Sequence, residues 1–207
     1  MRSRTAPAQT RRMGVEGSET RAQLIEAAGK LLRKEGCAAV TARRLAEKLG
    51  LKRQIVHYYF NTIEDLLIAV IRRDSEEVRE RLIQALESDE PLRVICELGN
   101  NVPVTIFEFA ALALRRKAIR AEIRRYMVEL RRIEAAAIAR YLERRGIEPT
   151  LAPVVTAILM GSIAHTLAME RALGVSEGHA EMKAVIDRCL QAFAERGELS
   201  ISGLNPG

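Results

Sequence analysis

The sequence predicts an all-α protein of about nine helices, a small N-terminal three-helix domain followed by a larger helical body. Three observations carry that expectation. Ala, Leu, Glu, Arg and Lys, the strong helix formers, recur along all 207 residues. Alternating Val/Ile/Thr runs bounded by Asn-Gly or Asp-Gly, which would announce hairpins, are missing. Gly36, Gly50, Pro91, Pro103, Gly146, Pro149 and Gly174 punctuate the chain between stretches of helical period.

Taken in order, a first helix begins near Thr20, where T-x-x-Q with Gln23 has the form of a capping box, and Leu24, Ala28, Leu31 and Leu32 make its apolar stripe. Gly36 stops it. Thr41 caps a short second helix that turns Leu45, Ala46 and Leu49 toward a core, and Gly50 closes it as a left-handed terminator. A third helix runs from about Arg53 to Tyr59. Asn61 or Thr62 caps a long fourth, apolar at its start and charge-laced at its end, which bridges two regions. Helices follow near 91–98, 104–116, 118–145, 150–173 and 177–196. Residues 1–17 read as a disordered basic arm, 18–61 as the three-helix domain, 62–197 as the helical body and 198–207 as a loose tail.

Charge is unevenly placed. Residues 1–60 hold 13 Lys/Arg against five Glu, a net of +8, and the rest of the chain nets −2. A basic third of this kind calls for an anionic partner, nucleic acid or a membrane surface. Cys37, Cys96 and Cys189 are far apart without a CxxC, which excludes a disulfide framework and a zinc site of known spacing and fits a reduced cytoplasm. The N-terminus lacks the apolar core of a signal peptide. Residues 151–169 are uncharged and approach the length of a membrane span, but Pro153, Thr156, Ser162, His165 and Thr166 dilute them, and the expectation is a buried helix of a dimer core, not a membrane segment. Without a Gly-rich phosphate loop, G-x-S-x-G, HExxH or a Cys–His pair, no enzyme and no cofactor is expected. His57, His165 and His179 form no metal constellation.

Two short helices joined by "GLK" match a helix-turn-helix, whose second helix buries one stripe and offers the other to a DNA major groove. Val56 and Phe60 lie one turn apart and should seat the third helix on Leu45 and Leu49. Arg53, Gln54, His57 and Tyr58 fall on the opposite side: a guanidinium suits guanine O6/N7, an amide suits adenine N6/N7, and an aromatic ring suits a thymine methyl.

The segment from Thr20 to Leu67 contains "AA-x-x-LL-x-x-x-G", "T-x-x-x-LA-x-x-LG", a recognition helix ending "YYF" and a following "ED-LL". It resembles the DNA-binding region of the tetracycline-repressor (TetR) family of bacterial transcriptional regulators. The resemblance implies base contacts from Arg43, Arg53, Gln54, Ile55 and Tyr58, and phosphate contacts from Thr41, the backbone of Ala42, His57 and Tyr59. Two positions depart from the family pattern: His57 stands where members usually have Tyr, and Ile63 where they have Lys. With that lysine missing, Arg44, Lys52 and the arm arginines are the candidate replacements.

A small helix-turn-helix reads only a few base pairs, so the chain should act as a homodimer on a palindromic double-stranded operator. The helices near 150–173, apolar nearly all round, and 177–196 suit a four-helix interface about a two-fold axis. Phe107, Phe109, Tyr126, Met127, Met160 and His165 suit either a plain core or an apolar pocket. The resemblance implies the pocket, holding a lipophilic small-molecule effector that releases the operator. The run from Arg115 to Arg132 is expected to be a solvated face paired with Glu122, Glu129 and Glu134. An activator or architectural protein, and a helical protein docking on anionic membrane, are the competing expectations.

Overall fold

Ser18, not Thr20, starts the first helix. The computed structural model describes residues 18–85 and 89–196, which contain nine α-helices, one short 3-10 turn and no strand. The basic arm and the tail lie outside these residues. Helix α1 spans Glu19–Glu35; Ser18 is extended (φ −76°, ψ 142°), and its hydroxyl accepts from the Arg21 amide at 3.2 Å. A cap two residues earlier leaves Glu19 in the first turn, where the helix dipole favours an acid, and Gln23 donates to Glu19 Oε1 at 3.2 Å instead of closing a box on Thr20.

After the 3-10 turn Cys37–Ala39, helix α2 covers Ala42–Leu49. Thr41 Oγ1 accepts from the Arg44 amide at 3.3 Å, as the sequence predicts. Gly50 adopts φ 65°, ψ 28°, the left-handed conformation that glycine reaches without a steric cost. Helix α3 is Arg53–Tyr59 and helix α4 is Ile63–Ala85. Thr62 is the cap of α4: Asp65 N donates to Thr62 Oγ1 and Thr62 N donates to Asp65 Oδ2, both at 3.0 Å, a reciprocal capping box.

The chain divides into two compact units, with the boundary inside α4 after Val70. In the first, Leu24, Leu31, Leu32, Leu45, Val56 and Phe60 are buried together with Leu66 and Val70.

The second unit contains α5 (Pro91–Asn100), α6 (Thr105–Arg115), α7 (Lys117–Arg145), α8 (Pro153–Ala172) and α9 (His179–Arg196). Helix α5 packs on α8 and α7, and α7 also packs on α6 and α8. Its core gathers Leu92, Ile95 and Cys96 of α5, Ile138 and Leu142 of α7, Met160 of α8, and Ile186, Leu190 and Phe193 of α9. The Tyr141 ring stacks on Phe193 at 5.5 Å. Helix α8 is long and apolar enough to cross a membrane by length and composition. One stripe of it, Thr156, Ala157, Met160, Ala164 and Ala168, is nevertheless buried, while Val154, Val155, Ile158 and Leu159 are about two-fifths exposed. The helix therefore closes a protein core with one face and leaves the other apolar face open.

Candidate nucleic-acid interface

Helix α3 divides as the spacing predicts. Val56 is fully buried and Phe60 nearly so, and the Arg21 guanidinium lies 5.1 Å from the centre of the Phe60 ring. On the opposite side Arg53, Gln54, His57 and Tyr58 are exposed, with Ile55 and Tyr59 half-buried at its edges. Tyr58, the more exposed of the two tyrosines, meets Tyr59 edge to face at 5.1 Å, a contact that limits the swing of both rings. Lys52 stands just before the first turn of α3, and neither it nor Arg53 makes an ion pair among the described residues. The cluster thus offers two uncommitted cations, an amide and a phenol, donors matched to phosphate oxygens and major-groove base edges.

The start of α2 contributes less charge than its sequence promises. Arg43 is exposed and only loosely paired, 4.0 Å from Glu47. Arg44 is held by Glu35 of α1: one guanidinium nitrogen, Nη2, lies 3.0 and 2.8 Å from the two carboxylate oxygens. The separation of nine residues has no local signal, so reading the sequence missed Glu35 and counted Arg44 as a free cation. The Ala42 side chain is buried, leaving its backbone amide in the first turn of α2 beside the exposed Thr41 hydroxyl. Such first-turn amides lack intrahelical partners and suit a phosphate. Ile63, at the start of α4, is half-buried.

In the second unit the six residues considered for an effector pocket separate. Phe109 and Met160 are buried, Phe107 and Tyr126 half-buried, and Met127 and His165 exposed. Burial, with a smaller contribution from the Glu134 charge, pushes the Tyr126 phenol up to about 12. Burial likewise pushes Glu134 up to about 7, against the opposing charge of Arg131 at 3.8 Å. His165 exposes one edge; burial of the remainder, then Arg131, holds its pKa below the usual imidazole value.

The basic run is not a uniformly solvated face. Glu122 is buried and accepts from Arg72 of α4 at 3.0 Å and from Arg125. Burial raises its pKa, but the two guanidiniums outweigh that and hold it below the ordinary carboxylate value. Glu129 pairs with Arg79 of α4 at 3.0 Å rather than with a neighbour on α7. Cross-helix partners fifty residues away displace the i,i+4 pairs that periodicity suggests, because the α7 face carrying these acids turns toward α4.

Residues 24–70 match the family model of the bacterial regulatory proteins, tetR family. The chain belongs to the TetR family. An 83-residue stretch is 39% identical to the probable HTH-type transcriptional regulator ArpR of Pseudomonas putida, covering 40% of this chain and 39% of that one. Over 81 residues it is 38% identical to the HTH-type transcriptional regulator TtgR of a second Pseudomonas putida strain, covering 39% and 38%. The match therefore spans about two-fifths of either relative's length.

Solved structures extend the likeness of fold. A transcriptional regulator from Saccharomonospora viridis in complex with choline superposes with a TM-score of 0.70 at 19% identity, over 86% of this chain and 96% of that one. A TetR transcription regulator from Haloarcula marismortui gives 0.68 at 19% identity, over 84% and 96%. The TetR match covers α1 from Leu24 through the start of α4, the segment in which Val56 and Phe60 seat the recognition helix.

Proposed function

We propose that the chain is a homodimeric, cytoplasmic transcriptional repressor that binds a palindromic operator and leaves it when a small molecule binds the second unit. The supporting observation is the side of α3 carrying Arg53, Gln54, His57 and Tyr58, turned to solvent on a helix anchored by buried Val56 and Phe60. Lys52, Arg43, Thr41, the Ala42 amide, Ile55 and Tyr59 complete the proposed contact set, and Arg44 contributes through its Glu35 pair by fixing α2 on α1. Dimerisation through α8 and α9 is supported by the exposed apolar face of α8 and by Met182 of α9. A protomer alone would leave that surface in water. Two recognition helices about one helical turn of DNA apart would then read the two half-sites.

The effector reading draws on Phe107, Phe109, Tyr126, Met127, Met160 and His165, a set rich in aromatic and thioether groups that suits a lipophilic ligand. The choline bound by the Saccharomonospora viridis protein shows that this fold accommodates small molecules. Since α4 contributes residues to both units, a shift along it is the proposed coupling. Ligand and operator must then weaken each other equally.

Selection of bound fragments from random DNA, followed by fluorescence anisotropy across a salt series, tests the DNA-binding half. Gln54→Ala should cost about 1–3 kcal/mol on the selected site and relax its preference, whereas Lys52→Ala should weaken all sequences alike and lower the salt slope by about 1. Equal affinity for selected and scrambled duplexes would sink the operator reading. Unchanged operator affinity at saturating effector would end the switching part alone.

A further inference from the structure

One face of α7 alternates cationic and apolar side chains. Arg120, Ile123, Arg124, Met127 and Arg131 fall at i, i+3, i+4, i+7 and i+11, a single stripe of the helix. With Val128, Arg132 and Ala113 of α6 they line an open groove of about 470 Å³. Its floor is apolar and accessible: Met127 is 52% exposed and Val128 46%. No carboxylate lines it among the described residues. The acids of this stretch are engaged elsewhere, Glu122 with Arg72 and Arg125, Glu129 with Arg79. Arg120 donates to the carbonyls of Ala113 and Leu114 at 2.8 and 2.5 Å, neutral acceptors that orient the guanidinium without cancelling its charge. Arg124 and Arg132 make no ion pair among the described residues, and Arg131 stands 3.8 Å from Glu134.

We infer that this groove binds a water-soluble anionic amphiphile. Its carboxylate or phosphate head meets the guanidiniums of Arg124 and Arg132, which can grip oxyanions in pairs of hydrogen bonds, and its short alkyl or aromatic body covers Met127 and Val128. Four guanidiniums lining an apolar trough without a counter-charge are complementary to such a ligand and to little else. A second copy of the chain seated on the same face would set arginines against arginines. A bilayer surface fits poorly because the binding surface is concave, between α6 and α7. The inference goes beyond the effector reading, with which it shares only Met127, and it does not require release of DNA.

Calorimetric titration of the full chain with octyl phosphate, below its micellar concentration, tests it. The expected result is saturable binding of one molecule per chain, at least tenfold weaker for inorganic phosphate and absent for octyltrimethylammonium. The double variant Arg124→Glu/Arg132→Glu should lose at least tenfold in affinity with its melting temperature and oligomeric state unchanged, and Met127→Ser should weaken octyl phosphate more than inorganic phosphate. Equal binding of the cationic and anionic amphiphiles, or full affinity in the charge-reversed variant, would overturn the assignment. So would arginine-dependent binding to phosphatidylglycerol vesicles without uptake of octyl phosphate, which would name a lipid surface instead.

Discussion

Glu134 carries a cost that depends on pH. Its side chain is 13% exposed, and its sole described ion pair is the loose one to Arg131. Burial raises its pKa from 4.5 to about 7, so as pH rises the unfolded chain releases this proton before the folded one does. Between those values the unfolded state binds fewer protons, and the stability associated with Glu134 falls with rising pH until the folded carboxyl has also ionised. At pH 8 the penalty is on the order of 2 kcal/mol. Glu134→Gln should match the parent at pH 4.5 and exceed its stability at pH 8 by that order, as read by urea denaturation across the pH range. A variant whose stability tracks the parent at every pH would show that water or Arg131 already solvates the charge. Nothing in "RRIEAAA" distinguishes this glutamate from its solvated neighbours, because its desolvation arises from the packing around α7 and not from its own surroundings in sequence.

At the scale of the helix, what was legible was local. Thr41 and Gly50 bound α2, and α3 runs from Arg53 to Tyr59, because cap and terminator chemistry act within four residues. The exposed side of the recognition helix was legible for the same reason: a period of 3.6 fixes which residues oppose Val56 and Phe60. The displaced cap of α1 belongs to a choice between two good capping residues, Ser18 and Thr20, on which the periodic stripe is silent. Contacts between helices far apart in sequence had no such signal. Gly99 of α5 is an instance: a Cβ built there would stand 2.6 Å from the Cβ of Ala164 on α8, so the closeness of the two helices depends on a hydrogen at that position. Gly99→Ala should gain about 1 kcal/mol in helix propensity yet lose about 1–3 kcal/mol to overpacking. Adding Ala164→Gly should recover part of the loss in a double-mutant cycle by chemical denaturation, and strict additivity of the two changes would refute the close approach.

For the whole molecule, the decisive surface is the outer face of α8. The sequence marked this stretch as apolar all round, and hydropathy alone fits a core helix, a subunit interface or a membrane span. The buried stripe of Ala157, Met160 and Ala164 assigns one side to the protomer's own core and leaves Val155, Ile158 and Leu159 for a partner. The six effector candidates divided between interior and surface for a related reason, since residue type does not state which way a helix is turned. Ile158→Glu with Leu159→Glu places charges on that outer face without touching the core. Sedimentation velocity should then show a folded monomer, and operator affinity should fall at least tenfold; a dimer persisting in this variant would move the interface elsewhere. If pairing depends on that strip, the folded and functional species is tied to the number of chains in the cell. At low copy number the concentration of paired molecules grows as the square of chain concentration, so a modest change in synthesis rate would produce a steeper change in promoter occupancy.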